Sequence, residues 1–272
     1  MYYGTHAIAP LVMASNSRIA RTHCFGSGVM RDELQKQYNN PFPIECALFE
    51  FENGLKGEVT RSLFSTARSY TESFNIYGEK STFEWQQIEG EDPILFTMGE
   101  STPDGKNDYF RGKPTNFRRF DPKNHSDLLP GEIAKYTIRG KYYDETNPQI
   151  TFEEGGGHGG SHPHMVHEFV RSILENRKPW INEIVAANIT AAGICAHESA
   201  MNNGKEVIIP EFANSKAIYS PGMYSVIDIS SLSVRSSSMP TRTAAECFRF
   251  IHITVKSDMA ASIGLSAISA SL

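Results

Sequence analysis

IECALFEFENGLKGEVTRSLFSTA, residues 44–67, alternates apolar and polar side chains on both sides of Asn53-Gly54. A period of two sends successive side chains to opposite faces of a strand. Asn-Gly is the dipeptide best suited to the two positive φ angles of a type I′ hairpin turn. The stretch therefore predicts two antiparallel strands joined at Asn53-Gly54. Working outward, SYTESFNIYGEKSTFEWQQ (69–87) repeats the pattern, with Tyr77, Phe83 and Trp85 as large anchors and Gly78 marking a turn. From Arg21 to Trp85 the chain reads as a β-meander and not as an alternating strand–helix series.

Downstream the pattern changes twice. Residues 90–157 are polar and rich in Gly, Pro, Asn and Asp, and read as a long insertion, either a solvated surface loop or an arm covering a substrate. Helical period then takes over. Val166, Phe169, Val170, Ile173 and Leu174 form one apolar stripe expected to face a core, with Ser161 or His162 as cap and Pro163 in the first turn. A second helix is expected over 182–202, ended by NNG. Small residues at Ala187, Ala191, Ala192, Gly193 and Ala196 suit it to close packing. Residues 213–272 are dense in serine and without sustained period apart from the strand-like FRFIHITV. They read as a tail that is poorly ordered or foreign to the fold.

Composition narrows the function. With 40% hydrophobic and 21% charged residues over 272 positions, the chain has enough apolar material for a real core. A net charge of -5 and a pI near 6.0 argue against a nucleic-acid binder and favour small ligands. No run approaches the apolar length of a membrane span, and MYYGTHAIAPLVMASNS lacks the basic start of a signal peptide. Cys24, Cys46, Cys195 and Cys247 are widely spaced, which suits reduced thiols in a cytoplasmic protein.

GGGHGGSHPHMVHEF (155–169) concentrates four histidines behind three glycines. His158, His162, His164 and His167 have spacings compatible with zinc, but no cysteine cluster or HExxH acid accompanies them, so no metal is expected. The glycines permit unusual φ/ψ at a helix N-terminus, where backbone N–H groups and an imidazole approach an oxygen-rich ligand closely. The alternative is a connector whose histidines are solvated or capping.

YYGTHAIAPLV (2–12), taken with the stretch from Gly155 to Phe212, resembles the C-terminal domain of the Gfo/Idh/MocA oxidoreductases. The branch most similar is that of the NAD-dependent glycoside hydrolases with a Tyr-Pro-Thr-His-Gly motif. The likeness covers residues 1–212, which form the expected substrate-binding and oligomerisation domain, and leaves 213–272 outside. It implies an α+β fold, an open and largely antiparallel sheet with helices packed on one face. It also implies a preceding Rossmann domain for NAD or NADP. No GxGxxG follows a strand near residue 1, and GEK at Gly78–Lys80 is not the family's Glu-Lys-Pro lysine. The chain is accordingly expected to begin at the second domain and to bind no cofactor alone.

The resemblance implies chemistry at a sugar or polyol hydroxyl. His6 matches the motif histidine and is the expected general base, with Tyr3 as acid or hydroxyl ligand. Thr5, His158 and His162 are expected substrate contacts. The family's aspartate four residues before the histidine is Tyr2 here, whereas Tyr3-Gly4-Thr5-His6 is similar to the hydrolase branch. A net dehydrogenase, a hydrolase working through transient oxidation and elimination, and a non-catalytic assembly module thus stand as alternatives. A homo-oligomer formed through the sheet is expected, with no nucleic-acid or membrane partner.

Overall fold

The computed structural model describes residues 1, 3–62, 67, 71–78, 80–88, 90–99, 115–119, 124–143, 146–147, 151–212 and 248–256. The elements run α1 (Gly4–Ser15), β1 (Ile19–Ser27), α2 (Asp32–Tyr38), β2 (Ile44–Phe51), β3 (Lys56–Ser62), β4 (Thr71–Gly78), β5 (Ser81–Glu84), β6 (Ile94–Met98) and β7 (Thr115–Arg119). They continue with α3 (Gly131–Ala134), β8 (Gly140–Tyr143), β9 (Thr151–Glu154), α4 (Ser161–Leu174), α5 (Glu183–Met201), β10 (Val207–Ile208) and β11 (Phe248–Lys256). Among the described residues nine strands form one sheet in the order β10-β1-β2-β3-β11-β4-β5-β6-β7, and β8 pairs with β9 separately. Among the described residues only the β3–β11 pairing is parallel. The fold is α+β, with α1 and α5 on one face of an open, largely antiparallel sheet.

The central hairpin forms, but its turn differs from the type I′ expectation. Gly54 has φ 87 and Asn53 is not at positive φ, while Gly54 N–H donates to the Phe51 carbonyl and Phe51 N–H to that of Leu55. Asn53 is held by its side chain, which accepts from Leu55 N–H and donates to the Ser15 carbonyl. The extra loop residue decides the register. Glu45 faces Arg61 and Ala47 faces Val59, so Gly57, Val59 and Arg61 turn toward the helices. A two-residue turn would have slipped the pairing by one and turned Glu58 and Thr60 inward. Burial of Val59 opposes that slip.

The core lies between the sheet and the two helices. Ile8, Leu11 and Val12 of α1, Val185, Ile189 and Ala196 of α5, and Phe49, Phe51, Val59, Phe74 and Ile76 of the strands share it. Phe74, Phe83 and Trp85 form an aromatic cluster, with Phe74 and Phe83 stacked at 5.0 Å and the Trp85 ring tilted against Phe74 at 5.2 Å. Phe74 takes the inward position expected for Tyr77, whose side chain is exposed on the other face.

Helix α5 matches the expected span closely, and Asn182 caps it by accepting from the Ile184 and Val185 amides. Two buried side chains of α5 tie it to β1. Asn188 accepts from Ile19 N–H and donates to the Ile19 carbonyl, both at 3.1 Å. Ser199 accepts from Cys24 N–H at 2.8 Å and donates to the Lys205 carbonyl at 2.7 Å. β10 reaches β1 only at Arg21 and Thr22, so these side chains satisfy backbone that the sheet leaves unpaired.

Three sequence expectations change. Ser161 and His162 do not cap α4; Gly160 occupies the N-cap without a side-chain bond. Among the described residues the apolar stripe of α4 faces no core, since Val166, Phe169, Ile173 and Leu174 are exposed and Ser161 and Ser172 are the buried positions. The stretch 90–157 carries strands β6 to β9, two of which widen the main sheet. Of the expected tail, 213–247 and 257–272 lie outside the described residues, while Phe248–Lys256 is β11, paired on both sides inside the sheet. No helix among the described residues is long and apolar enough to cross a membrane.

Two measurements test this architecture. Replacing Asn188 with Leu strands the Ile19 amide and carbonyl, and is expected to cost roughly 2–4 kcal/mol in urea unfolding. Hydrogen exchange is expected to be as slow across residues 251–256 as across β3. Rapid exchange there would remove β11 from the sheet.

Candidate active site

Helix α1 opens on the Tyr3-Gly4-Thr5-His6 motif. Tyr3 is its N-cap in left-handed backbone (φ 54), and His6 lies in the first turn. The two rings approach at 5.2 Å with a 42° tilt. Gly4 is the point where the helix meets α5: a Cβ there would lie 3.2 Å from the Gly193 Cα. Pro10 removes the amide that would bond the His6 carbonyl.

The sheet supplies a third group. Glu72, the second residue of β4, brings Oε1 to 3.0 Å from His6 Nδ1, with the two side chains 8% and 32% exposed respectively. Nδ1 has no solvent access and the pair is not aligned as a hydrogen bond in this arrangement. Such bonds often tighten only when substrate is present. The Glu72 carboxylate at hydrogen-bonding distance favours the imidazolium and raises the His6 pKa above its ordinary value, while burial opposes it. Thr5 is exposed beside them.

His158 and His162 form a separate pair, their rings 4.8 Å apart. His158 sits at φ 49 inside the turn Gly157–Gly160, which leads into α4. The structure thus unites Tyr3 with His6 and His158 with His162, on different elements. His164 bonds the Asn124 carbonyl through Nε2 at 2.9 Å and serves to anchor α4. Among the described residues no three His, Cys, Asp or Glu side chains converge as a metal site would need.

The glycines of 155–160 have a different purpose from the one expected. A Cβ at Gly155 would come within 2.3 Å of the Ile138 carbonyl oxygen, and one at Gly160 within 2.4 Å of that of Thr137. What approaches these glycines closely is therefore the backbone of residues 137–139. This loop also follows the antiparallel β8–β9 pair, not a parallel βαβ strand. An arrangement of that kind does not fit the pyrophosphate of a nicotinamide dinucleotide.

A second ionisable cluster, missed in the sequence, lies beneath α5. Glu45, 1% exposed, accepts from His197 Nδ1 at 2.7 Å and from Asn40 Nδ2 at 3.3 Å, and the Met1 amino group is 3.9 Å away. Burial pushes the Glu45 carboxyl up, but the His197 hydrogen bond and the positive charges of the amino terminus and Arg61 together hold it below the usual range. Glu45 stands in a core-facing position of the alternating pattern, which was the available signal. Of the cysteines, Cys24 and Cys195 are buried and free, and burial pushes the Cys24 thiol up to about 12; Cys46 is exposed.

No family model matches the chain, and no curated protein does. Among solved structures, one described as levoglucosan dehydrogenase in complex with NADH and L-sorbose matches at 15% identity, covering 77% of this chain and 50% of its own, with TM-score 0.46. A scyllo-inositol dehydrogenase from Lactobacillus casei with bound NAD(H) and scyllo-inositol matches at 14% over 71% and 43%, with TM-score 0.32. A myo-inositol dehydrogenase from Corynebacterium glutamicum matches at 13% over 71% and 44%, with TM-score 0.34. These three are titled as dehydrogenases of levoglucosan, scyllo-inositol and myo-inositol. The chain spans about half their length.

The His6–Glu72 pair has a pH signature. Because the folded-state pKa of His6 is raised, its stabilising contribution is complete below the unfolded value of about 6.5 and is lost as pH rises through the folded value. The stability gap between wild type and Glu72→Gln, read from urea melts, is therefore expected to shrink from pH 5.5 to pH 8.5.

Proposed function

We propose that this chain is the substrate-side domain of an NAD(P)-dependent oxidoreductase acting on a sugar or polyol hydroxyl. The observation that carries this reading is the Tyr3–His6–Glu72 constellation at the start of α1. His6 exchanges the hydroxyl proton, Tyr3 offers its own hydroxyl as a ligand or acid, and Thr5 lies within the same turn. His158 and His162 are proposed as further substrate contacts brought by the loop before α4. The redox cofactor, NAD or NADP, would be held by residues other than those described here. A reduced cytoplasmic setting suits the buried thiols.

A hydrolytic outcome is the second reading. It is favoured by the Tyr3-Gly4-Thr5-His6 motif and by the charge that Glu72 promotes on His6, since protonation of a departing glycosidic oxygen needs an acid. An assembly role is favoured by Phe25 and Leu48, exposed on the sheet face opposite the helices, and a homo-oligomer through that face is part of the proposal.

NMR titration of the full chain with levoglucosan and with myo-inositol tests the reading. Saturable shifts at Tyr3 and His6, lost in His6→Ala, are expected. In parallel, thermal melting with NAD(H) or NADP(H) is expected to show no shift, because only a ligand of the folded chain raises its apparent stability. Absence of any sugar response would overturn the substrate role. A saturable cofactor shift would overturn the division of labour.

A further inference from the structure

The accessible part of the His6 ring is defined by what is inaccessible. Nδ1 has no solvent contact, yet the side chain as a whole is 32% exposed. Of the two ring nitrogens, only Nε2 is left to meet a ligand. The group closing off Nδ1 comes from the sheet, where Glu72 is nearly buried and places Oε1 3.0 Å away. Tyr3, in the left-handed cap of the helix, brings its ring to 5.2 Å from that of His6, centroid to centroid. A carboxylate thus stands 3.0 Å from one edge of the ring, and a tilted aromatic ring lies beside it.

We propose that Glu72 is a positioning residue of this site, holding His6 by Nδ1 so that Nε2 is the atom that exchanges a proton with the substrate hydroxyl. The role rests on the functional reading above for its substrate, but not for its geometry. An ionised carboxylate only accepts hydrogen bonds, so the neutral ring beside it carries its proton on Nδ1 and presents a bare lone pair at Nε2. In the step itself the substrate O–H bond breaks, its electron pair stays on oxygen and the proton bonds to Nε2. The resulting imidazolium is paired with Glu72, which remains ionised throughout. The reverse transfer delivers the proton from Nε2 to an oxygen. Because α1 and β4 contribute one partner each, the working orientation of His6 depends on the packing of helix against sheet.

Long-range proton–nitrogen spectra of the ¹⁵N-labelled full chain read the tautomer directly. In wild type the neutral His6 ring is expected as the Nδ1–H tautomer. Glu72→Gln is expected to keep that tautomer, through its amide oxygen, while lowering the His6 pKa; Glu72→Ala is expected to lose both effects. A neutral His6 protonated on Nε2 in wild type overturns the proposal, and that spectrum decides even where Glu72→Ala does not fold. An unchanged tautomer and pKa in a folded Glu72→Ala protein overturns it as well. If the tautomer is as expected but levoglucosan and myo-inositol leave the spectrum untouched, Glu72 keeps its positioning role and the functional reading fails instead.

Discussion

The seam between α5 and β1 is the constraint on which the other placements depend. β1 lies beside a two-residue strand, so much of one of its sides would be left without partners. Asn188 and Ser199 fill that role from the helix, with bonds of 2.8–3.1 Å to buried backbone of β1. Their geometry fixes α5 in height and rotation over the sheet. Once α5 is set, Gly193 defines where α1 crosses it, and the close approach at Gly4 follows. His6 is two residues beyond Gly4, so the position of the candidate site descends from a helix–strand contact that contains none of its residues.

How much of this was readable in the chain depends on the range of the interactions. The hairpin around Asn53-Gly54 was visible because period and turn residues are local. Its register was not, since the choice between a two- and a three-residue loop is decided by the burial of Val59 and by Asn53 bonding Ser15 across to α1. That single step also decides that Glu45 and Arg61 face each other inside the structure. The stripe on α4 illustrates the opposite failure. Its periodicity is sound, but periodicity states only that one face is apolar, not that something covers it.

The site divides along the same line. Tyr3 and His6 share a motif and one helical turn, so they could be named from the sequence. Glu72 comes from β4, and nothing near it in the chain marks it as a partner of α1. The resemblance anticipates an acidic residue four positions before the histidine, where Tyr2 stands; here a carboxylate reaches His6 from the sheet instead. The glycines before α4 were conspicuous for the right physical reason, close approach, but the approaching group is the backbone of 137–139.

β11 has a consequence for the order of folding. It separates β3 from β4, running parallel to one and antiparallel to the other, yet it follows both by most of the length of the chain. During synthesis the two halves of the sheet therefore emerge long before the strand that joins them. Each presents an unpaired edge in the interval, and closing the gap requires contacts of very high sequence separation. Sheets with that wiring fold slowly and offer their edges to other chains while they wait.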